Sequence, residues 1–283
     1  MSDLLKLENV GKDYRTFSLQ DISFTLPAGC IMGFIGENGA GKSTTIKLIL
    51  DLIRKDRGSV EIFGKPSEQL PRTMREHIGV VLDEANFSQD LNYKDINTIM
   101  KHLYKTWDSR KFFKMMQDYK IPPESKLKDY SKGMKMKLLI AAAVCHDTKL
   151  LIMDEATSGL DPVSRDDLLD FLMEFIQDET KSVFISSHIL SDLEKICDYI
   201  TFIHQGRLVF SESKDELLEN YGILKCSERE LADIDEEAVV GVRRNAFGVE
   251  ALVQRDRIPN GCIVDPATLD EIMVFYVKEA KLK

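Results

Sequence analysis

The sequence predicts an α/β fold: a mostly parallel sheet with helices on its faces, enlarged by an antiparallel β subdomain and a helical insertion and followed by a small α+β appendage. Three stretches predict it. Cys30 to Ile35 reads as a short buried strand, Gly36 to Ser43 as a glycine-rich turn, and Thr44 to Ile53 repeats apolar residues at helical spacing. Leu150 to Met153 is an apolar run ending in the carboxylates Asp154 and Glu155, and Ser182 to Ser186 is another buried strand that runs into His188. Buried parallel strands deliver their carboxyl ends to one crevice, so the turn, the acidic pair and the histidine are expected to meet.

In Gly36-Glu-Asn-Gly-Ala-Gly-Lys-Ser43, the glycines Gly36, Gly39 and Gly41 let successive N–H groups point into one concavity, and the next helix adds the positive end of its dipole. Set between a strand and a helix, this spacing is the P-loop pattern, a cradle for a nucleoside triphosphate. Lys42 reaches the β- and γ-phosphates as a point charge, and the Ser43 hydroxyl can ligate a Mg²⁺ that bridges them. Beside such a loop Asp154 fits the metal, usually through water, and Glu155 is left to accept a hydrogen bond from an attacking water. A lone histidine is more often a cap or core residue, so spacing alone assigns His188 no role.

A chain of 283 residues can bury a sizeable core, and the appendage makes a second, smaller unit. A net charge of −9 argues against nucleic acid as a general partner, since backbone-phosphate binding relies on clustered Lys and Arg. The five cysteines are scattered without metal-type spacing and read as thiols in a reducing cytoplasm. The N-terminus lacks the apolar run of a signal peptide, and no apolar stretch approaches the length of about 18 residues that a membrane span needs. A membrane role would therefore fall to a separate chain.

Taken in order, Leu4 to Val10 and Leu19 to Leu26 alternate as two strands that pair antiparallel around a turn from Gly11 to Phe17. An aromatic ring there can stack on adenine, a contact worth about 1–3 kcal/mol for base–aromatic pairs. Tyr14 is the first candidate and Phe17 the second. Gly58 to Gly64 and Ile78 to Leu82 read as further strands, the second followed by Asp83 and Glu84. Residues from about 84 to 147 are helical in pattern, a helical insertion in the sheet. Within it Ser131 and Gly133 sit at the start of the apolar helix Leu138 to Cys145, a second place fit for an anion. The lysines around it, Lys126 to Lys137, read alone as a solvated face. Asp161-Pro162 opens a helix to about Glu179, and Ser191 to Glu194 has the form of a capping box for a helix to Asp198. Tyr199 to His204 and Arg207 to Ser211 read as a hairpin that closes the sheet. After a helix from Lys214 to Tyr221, the stretch Ser227 to Glu237 carries six carboxylates against one arginine. Short strands at Val239 to Arg243, Val249 to Gln254 and Cys262 to Asp265, with a final amphipathic stretch Ala267 to Ala280, complete an appendage in which no chemistry is legible.

With these pieces in this order, residues 1 to about 221 resemble the ATP-binding subunit of an ABC transporter. Tyr14 matches the adenine-stacking loop, and Gly36 to Ser43, with Asn38, Gly39, Ala40, Gly41, Lys42 and then Thr44, matches Walker A. Tyr130-Ser-Lys-Gly-Met-Lys135 is similar to the signature motif, with Ser131 and Gly133 kept. Leu150 to Glu155 matches Walker B and the catalytic glutamate, Ser158 to Asp161 the D-loop, and Ser187-His188 the switch histidine. The resemblance implies ATP and Mg²⁺ as cofactors, a γ-phosphate contact for His188, and a head-to-tail dimer that sandwiches ATP between Walker A of one copy and the signature helix of the other. It further implies a separate transmembrane permease, with this chain bound peripherally on the cytoplasmic side of the cell membrane. Two departures stand out: Asp83 occupies the place of a common glutamine, with Glu84 as its rival for the metal-side role, and the signature has Lys132 and Lys135 in place of the usual glycine and glutamine. Such changes look similar to those of export-type subunits for antibiotic peptides and drugs. A soluble ABC ATPase of a cytosolic assembly complex, such as iron–sulfur cluster assembly, is the alternative.

Overall fold

The computed structural model describes residues 3–82, 87–245, 248–259 and 261–280. Strands β1 (Asp3–Asp13) and β2 (Ser18–Pro27) pair antiparallel as their alternation requires, and the Tyr14 N–H donates to the Phe17 carbonyl at 2.8 Å to close the turn. The fully buried β3 (Ile31–Ile35) leads through the glycine turn into α1 (Lys42–Ile49). This helix ends at Ile49 rather than Ile53. Asp51 takes a left-handed φ of 56° and the Leu52 N–H folds back to the Lys47 carbonyl at 2.9 Å, a termination the apolar spacing does not show.

Strand β4 (Arg57–Ile62) adds to β1, and β5 (Lys65–Pro66) adds to β4. After a single helical turn, α2 (Arg72–Arg75), β6 (Ile78–Val81) enters the parallel part of the sheet. The insertion follows as α3 (Tyr93–Leu103), α4 (Ser109–Asp118) and α5 (Lys132–Val144). These helices pack on a core of their own that includes Ile96, Phe112, Met116 and Leu138.

The chain returns through β7 (Leu150–Asp154), α6 (Pro162–Phe175), β8 (Ser182–Ser186), α7 (Leu190–Ile196), and the hairpin β9 (Tyr199–His204) and β10 (Arg207–Ser213). Among the described residues the sheet has the order β5-β4-β1-β2-β10-β9-β3-β8-β7-β6. Strands β6, β7, β8, β3 and β9 are parallel neighbours, so β3 lies between β8 and β9. The hairpin does not end the sheet, as the order along the chain suggests. Its second strand sits in the interior and joins the parallel core to the antiparallel subdomain, touching β2 at Arg207 and Gln20.

Alternation along the strands feeds two apolar layers. Ile31, Ile35, Leu151, Met153, Val183 and Ile185 face α5, α6 and α7, whereas Met32, Phe34, Ile152 and Phe184 face α1 and the antiparallel strands. The rings of Phe24 and Phe184 stack at 5.4 Å across the second layer.

The capping box at Ser191 does not form. Helix α7 begins at Leu190, the Ser187 hydroxyl accepts from the Ile189 N–H at 3.0 Å, and Glu194 turns outward to accept from the Leu269 N–H at 3.3 Å. Helix α8 (Lys214–Asn220) passes without a turn into β11 (Tyr221–Cys226), a strand absent from the sequence reading. After α9 (Glu228–Ala232) come β12 (Val239–Asn245), β13 (Gly248–Gln254), β14 (Val264–Pro266) and α10 (Leu269–Ala280). The tail sheet runs β12-β13-β11-β14, and α10 carries Ile272 and Phe275 into the same apolar layer as Leu193, Ile196, Phe202 and Phe210 of the core. The hydroxyls of Tyr221 and Tyr276 share a hydrogen bond of 2.8 Å at this seam.

Candidate active site

A cleft of about 380 Å³ opens at the carboxyl ends of β3, β7 and β8. Its floor is the glycine turn: Asn38, Gly39, Gly41, Lys42, Ser43 and Thr44 line it. The conformation requires glycine at two of these positions. Gly41 has a φ of 116°, and a Cβ there would meet Leu19 Cδ2 at 2.6 Å, whereas a Cβ on Gly36 would meet the Ile203 carbonyl at 2.4 Å. Gly39 has nothing within 4 Å of where its Cβ would lie, which leaves the backbone open to an approaching phosphate. The first N–H groups of α1 have no partner within the helix and point the same way. The Gly206 N–H holds the loop from outside by donating to the Ala40 carbonyl at 3.0 Å.

Lys42 is 6% exposed, and its Nζ donates to the Gly36 carbonyl at 2.8 Å and stands 3.3 Å from Glu155 Oε1. The other oxygen of Glu155 accepts from His188 Nδ1 at 2.5 Å, and since a carboxylate only accepts, Nδ1 bears the proton. Glu155 reaches both because its backbone takes a left-handed φ of 51° at the strand end, anchored by its N–H donating to the Ser186 carbonyl and hydroxyl at 3.1 and 3.0 Å. The same Ser186 hydroxyl donates to Asp154 at 2.6 Å. Parallel pairing in register, with Asp154 opposite Ser186, makes this possible.

The structure thus brings Lys42, Ser43, Thr44, Asn38, Gly39, Gly41, Glu155 and His188 together, with Gly36 and Ala40 backing the loop and Asp154 buried just behind. Other residues sit elsewhere. Phe17, not Tyr14, lines the cleft; Tyr14 is 47% exposed on its turn with the Lys12 ammonium 5.7 Å from its ring. Ser131 caps α5 by accepting from the Met134 N–H at 3.2 Å, and Gly133 packs on Ser164, whose hydroxyl donates to Asp161. Asp161 also caps α6 through the Val163 and Ser164 N–H groups, and these hydrogen bonds, led by Ser164, hold its carboxyl below the usual range. Neither Asp161 nor the start of α5 lines the cleft of its own chain. Asp83 and Glu84 lie outside the described residues. Four of the five lysines around the signature segment are partnered: Lys126 and Lys128 with Asp90, Lys135 with Gln89 and Lys137 with Asp167. Two participants were not singled out in the sequence as site residues. Ser158 lines the cleft from within the D-loop stretch, and Ser186 was visible only as the last residue of a strand.

For Mg²⁺ the donor set is suitable: a serine hydroxyl in the cleft and a buried carboxylate whose orientation Ser186 fixes are both hard oxygen ligands.

Comparison with known proteins agrees with this geometry. The family described as ABC transporter matches residues 19–158. The bacitracin transport ATP-binding protein BcrA of Enterococcus faecalis is 33% identical over 77% of this chain and 71% of its own length. An uncharacterized ABC transporter ATP-binding protein of Bacillus subtilis, YhcH, is 29% identical over 98% of this chain and 92% of its own, so that likeness includes the tail. A solved structure of an ATP-binding subunit of an ABC transporter superposes with a TM-score of 0.67 at 28% identity, covering 76% of this chain and 91% of that one. The chain belongs to the ATP-binding subunits of ABC transporters, ATPases that power transport.

Proposed function

We propose that this subunit binds ATP with Mg²⁺ in the cleft, pairs head-to-tail with a second ATPase copy, and drives export through a separate transmembrane permease from the cytoplasmic face of the membrane. The observation that carries the reading is the convergence of Lys42, Glu155 and His188 on one another at the mouth of the glycine turn. Phosphoryl transfer needs little covalent help and is accelerated by position and by charge neutralisation. Phosphate oxygens entering the cleft take the Lys42 ammonium from Glu155, which frees that carboxylate to accept a hydrogen bond from water and hold it in line with the γ-phosphorus. His188, tied to Glu155 through Nδ1, is the proposed contact on the γ-phosphate side. Ser43 and Asp154 would hold the metal, which would supply positive charge to the phosphates when bound. Tyr14 is the proposed adenine platform, with Phe17 at the cleft wall as its rival.

The placement of three residues supports the dimer. Ser131, Gly133 and Asp161 are disposed around the start of α5, away from their own cleft, and reach a nucleotide only if a second copy brings them. Residues 1–221 form the ATPase unit in this reading and 222–283 an accessory unit seated on it. BcrA acts in bacitracin transport by its name, which makes peptide antibiotics the first substrate class to assay. No helix among the described residues is long and apolar enough to cross a membrane; in this reading the permease is a separate polypeptide, as the likeness to ATP-binding transport subunits supports. The test is co-purification from membranes with a polypeptide of several apolar spans, retained when ATP is added to the Glu155→Gln variant. Recovery in a soluble complex without such a partner would favour the cytosolic-assembly alternative.

A further inference from the structure

We infer that Arg165 and Asp192 form a clamp behind the cleft that fixes the spacing of Glu155 and His188, and so act as positioning residues for hydrolysis. The inference rests on the roles proposed above for those two residues. Glu155 belongs to the loop that follows β7, His188 to the loop that follows β8. Behind the cleft the two loops are joined twice. The Thr157 and Ser187 hydroxyls, both fully buried, share a hydrogen bond of 3.0 Å. Farther back, Asp192 on α7 is 4% exposed and faces Arg165 on α6, with Nε and Oδ2 3.6 Å apart. The Arg165 guanidinium also donates to the Leu160 carbonyl at 3.2 Å, which ties it to the end of the first loop. Thr157 completes the circuit: burial pushes the Asp192 carboxyl up, and the Arg165 charge and then the Thr157 hydroxyl partly oppose it. One chain of contacts therefore runs from Leu160 through Arg165, Asp192 and Thr157 to Ser187, the residue before His188.

Neither Arg165 nor Asp192 lines the cleft. Stability alone is a poor reason for the pair. Arg165 Nε and Asp192 Oδ2 are buried without a hydrogen-bond partner, and a partly satisfied buried pair is worth less than apolar side chains of the same size. What the pair does supply is a fixed distance between the helices that follow the two catalytic loops. A shift of either helix passes through Thr157 and Ser187 to the Glu155–His188 contact.

The test compares Asp192→Asn in the full-length protein with and without His188→Ala, measuring ATP affinity, kcat and thermal melting. A clamp predicts that Asp192→Asn lowers kcat by about ten-fold or more with ATP affinity held, because only the arrangement of the hydrolytic groups changes. It also predicts that the loss shrinks to within about two-fold in the His188→Ala background, where the residues no longer act as a unit. Should Asp192→Asn misfold by stranding the arginine charge, the neutral pair Arg165→Gln with Asp192→Asn replaces it under the same criteria. Unchanged kcat in a folded variant, or the same loss in both backgrounds, overturns the clamp. If His188→Ala alone turns over like the wild type, the role assigned to His188 fails first and the clamp with it.

Discussion

Glu155 shows what single residues contribute to this site. A non-glycine residue in the left-handed region costs roughly 1–3 kcal/mol, and here the two hydrogen bonds that its N–H donates to Ser186 oppose that cost. Removing the Ser186 hydroxyl should therefore disturb both Asp154 and Glu155. Ser186→Ala is expected to lower kcat by about ten-fold while leaving ATP affinity nearly intact, since an ordinary hydrogen bond is worth about 1 kcal/mol and this one orients two groups at once. Equal kcat in variant and wild type would reduce Ser186 to a strand residue. The contrast with Walker A is instructive. Gly36 to Ser43 is legible because its chemistry lies in consecutive residues whose spacing dictates the backbone. Ser186 is not, because it meets Asp154 only through the register of β7 against β8. Tyr14 and Phe17 were both legible as aromatics of one turn, and only the fold distinguishes the one on the wall from the one in solvent.

At the level of elements, the strands of the parallel core stand where the apolar runs place them, because fully buried strands have no competing pattern. Helix ends depend on partners remote in sequence. The Ser191 box gives way because Glu194 serves the start of α10, and α10 itself is opened by Thr268 and Glu271, whose reciprocal hydrogen bonds of 2.9 and 3.2 Å form a box that the apolar pattern masks. Strand β11 was missed because Tyr221 to Leu224 is buried on both faces and follows α8 with no turn residue to announce it. The insertion meets the core at His146. Its ring stacks on Tyr104 at 4.1 Å, and its Nδ1 donates to the Glu76 carbonyl at 2.8 Å. Burial lowers its pKa from 6.5 to about 4. Below pH 6.5 the unfolded chain takes up a proton that the folded one refuses, so this stability is complete above pH 6.5 and is lost as the pH falls toward 4. The loss amounts to as much as roughly 3 kcal/mol. Melting curves at pH 7 and pH 5 should show a drop in the wild type that is smaller in His146→Gln; equal drops would place the acid sensitivity elsewhere.

For the whole molecule, the sequence divides near residue 221, where the nucleotide motifs end. The packing runs across that point. Because α10 covers Phe202 and Phe210 on the hairpin and Leu193 on α7, deletion of 223–283 strips an apolar layer from the core and removes the Tyr221–Tyr276 hydrogen bond. The truncated chain is expected to melt more than 10 °C lower or to aggregate, in keeping with about 25 cal/mol for each Å² of apolar surface re-exposed. A soluble truncated chain that melts with the wild type would show the tail to be dispensable. The same seam explains why β10 was misread as an edge. Chain order ends the core at the hairpin, but the spatial order needs a strand there to bridge the parallel and antiparallel halves.

The central claim is that one cleft binds ATP through Lys42 and hydrolyses it through Glu155. It is tested most directly by measuring ATP affinity and kcat side by side in Lys42→Ala and Glu155→Gln. The account predicts that Lys42→Ala loses affinity by about 10- to 100-fold, the worth of charge-assisted hydrogen bonds. Glu155→Gln should bind ATP as the wild type does and turn over at least about 100-fold more slowly. Wild-type turnover in Glu155→Gln, or wild-type affinity in Lys42→Ala, would contradict it.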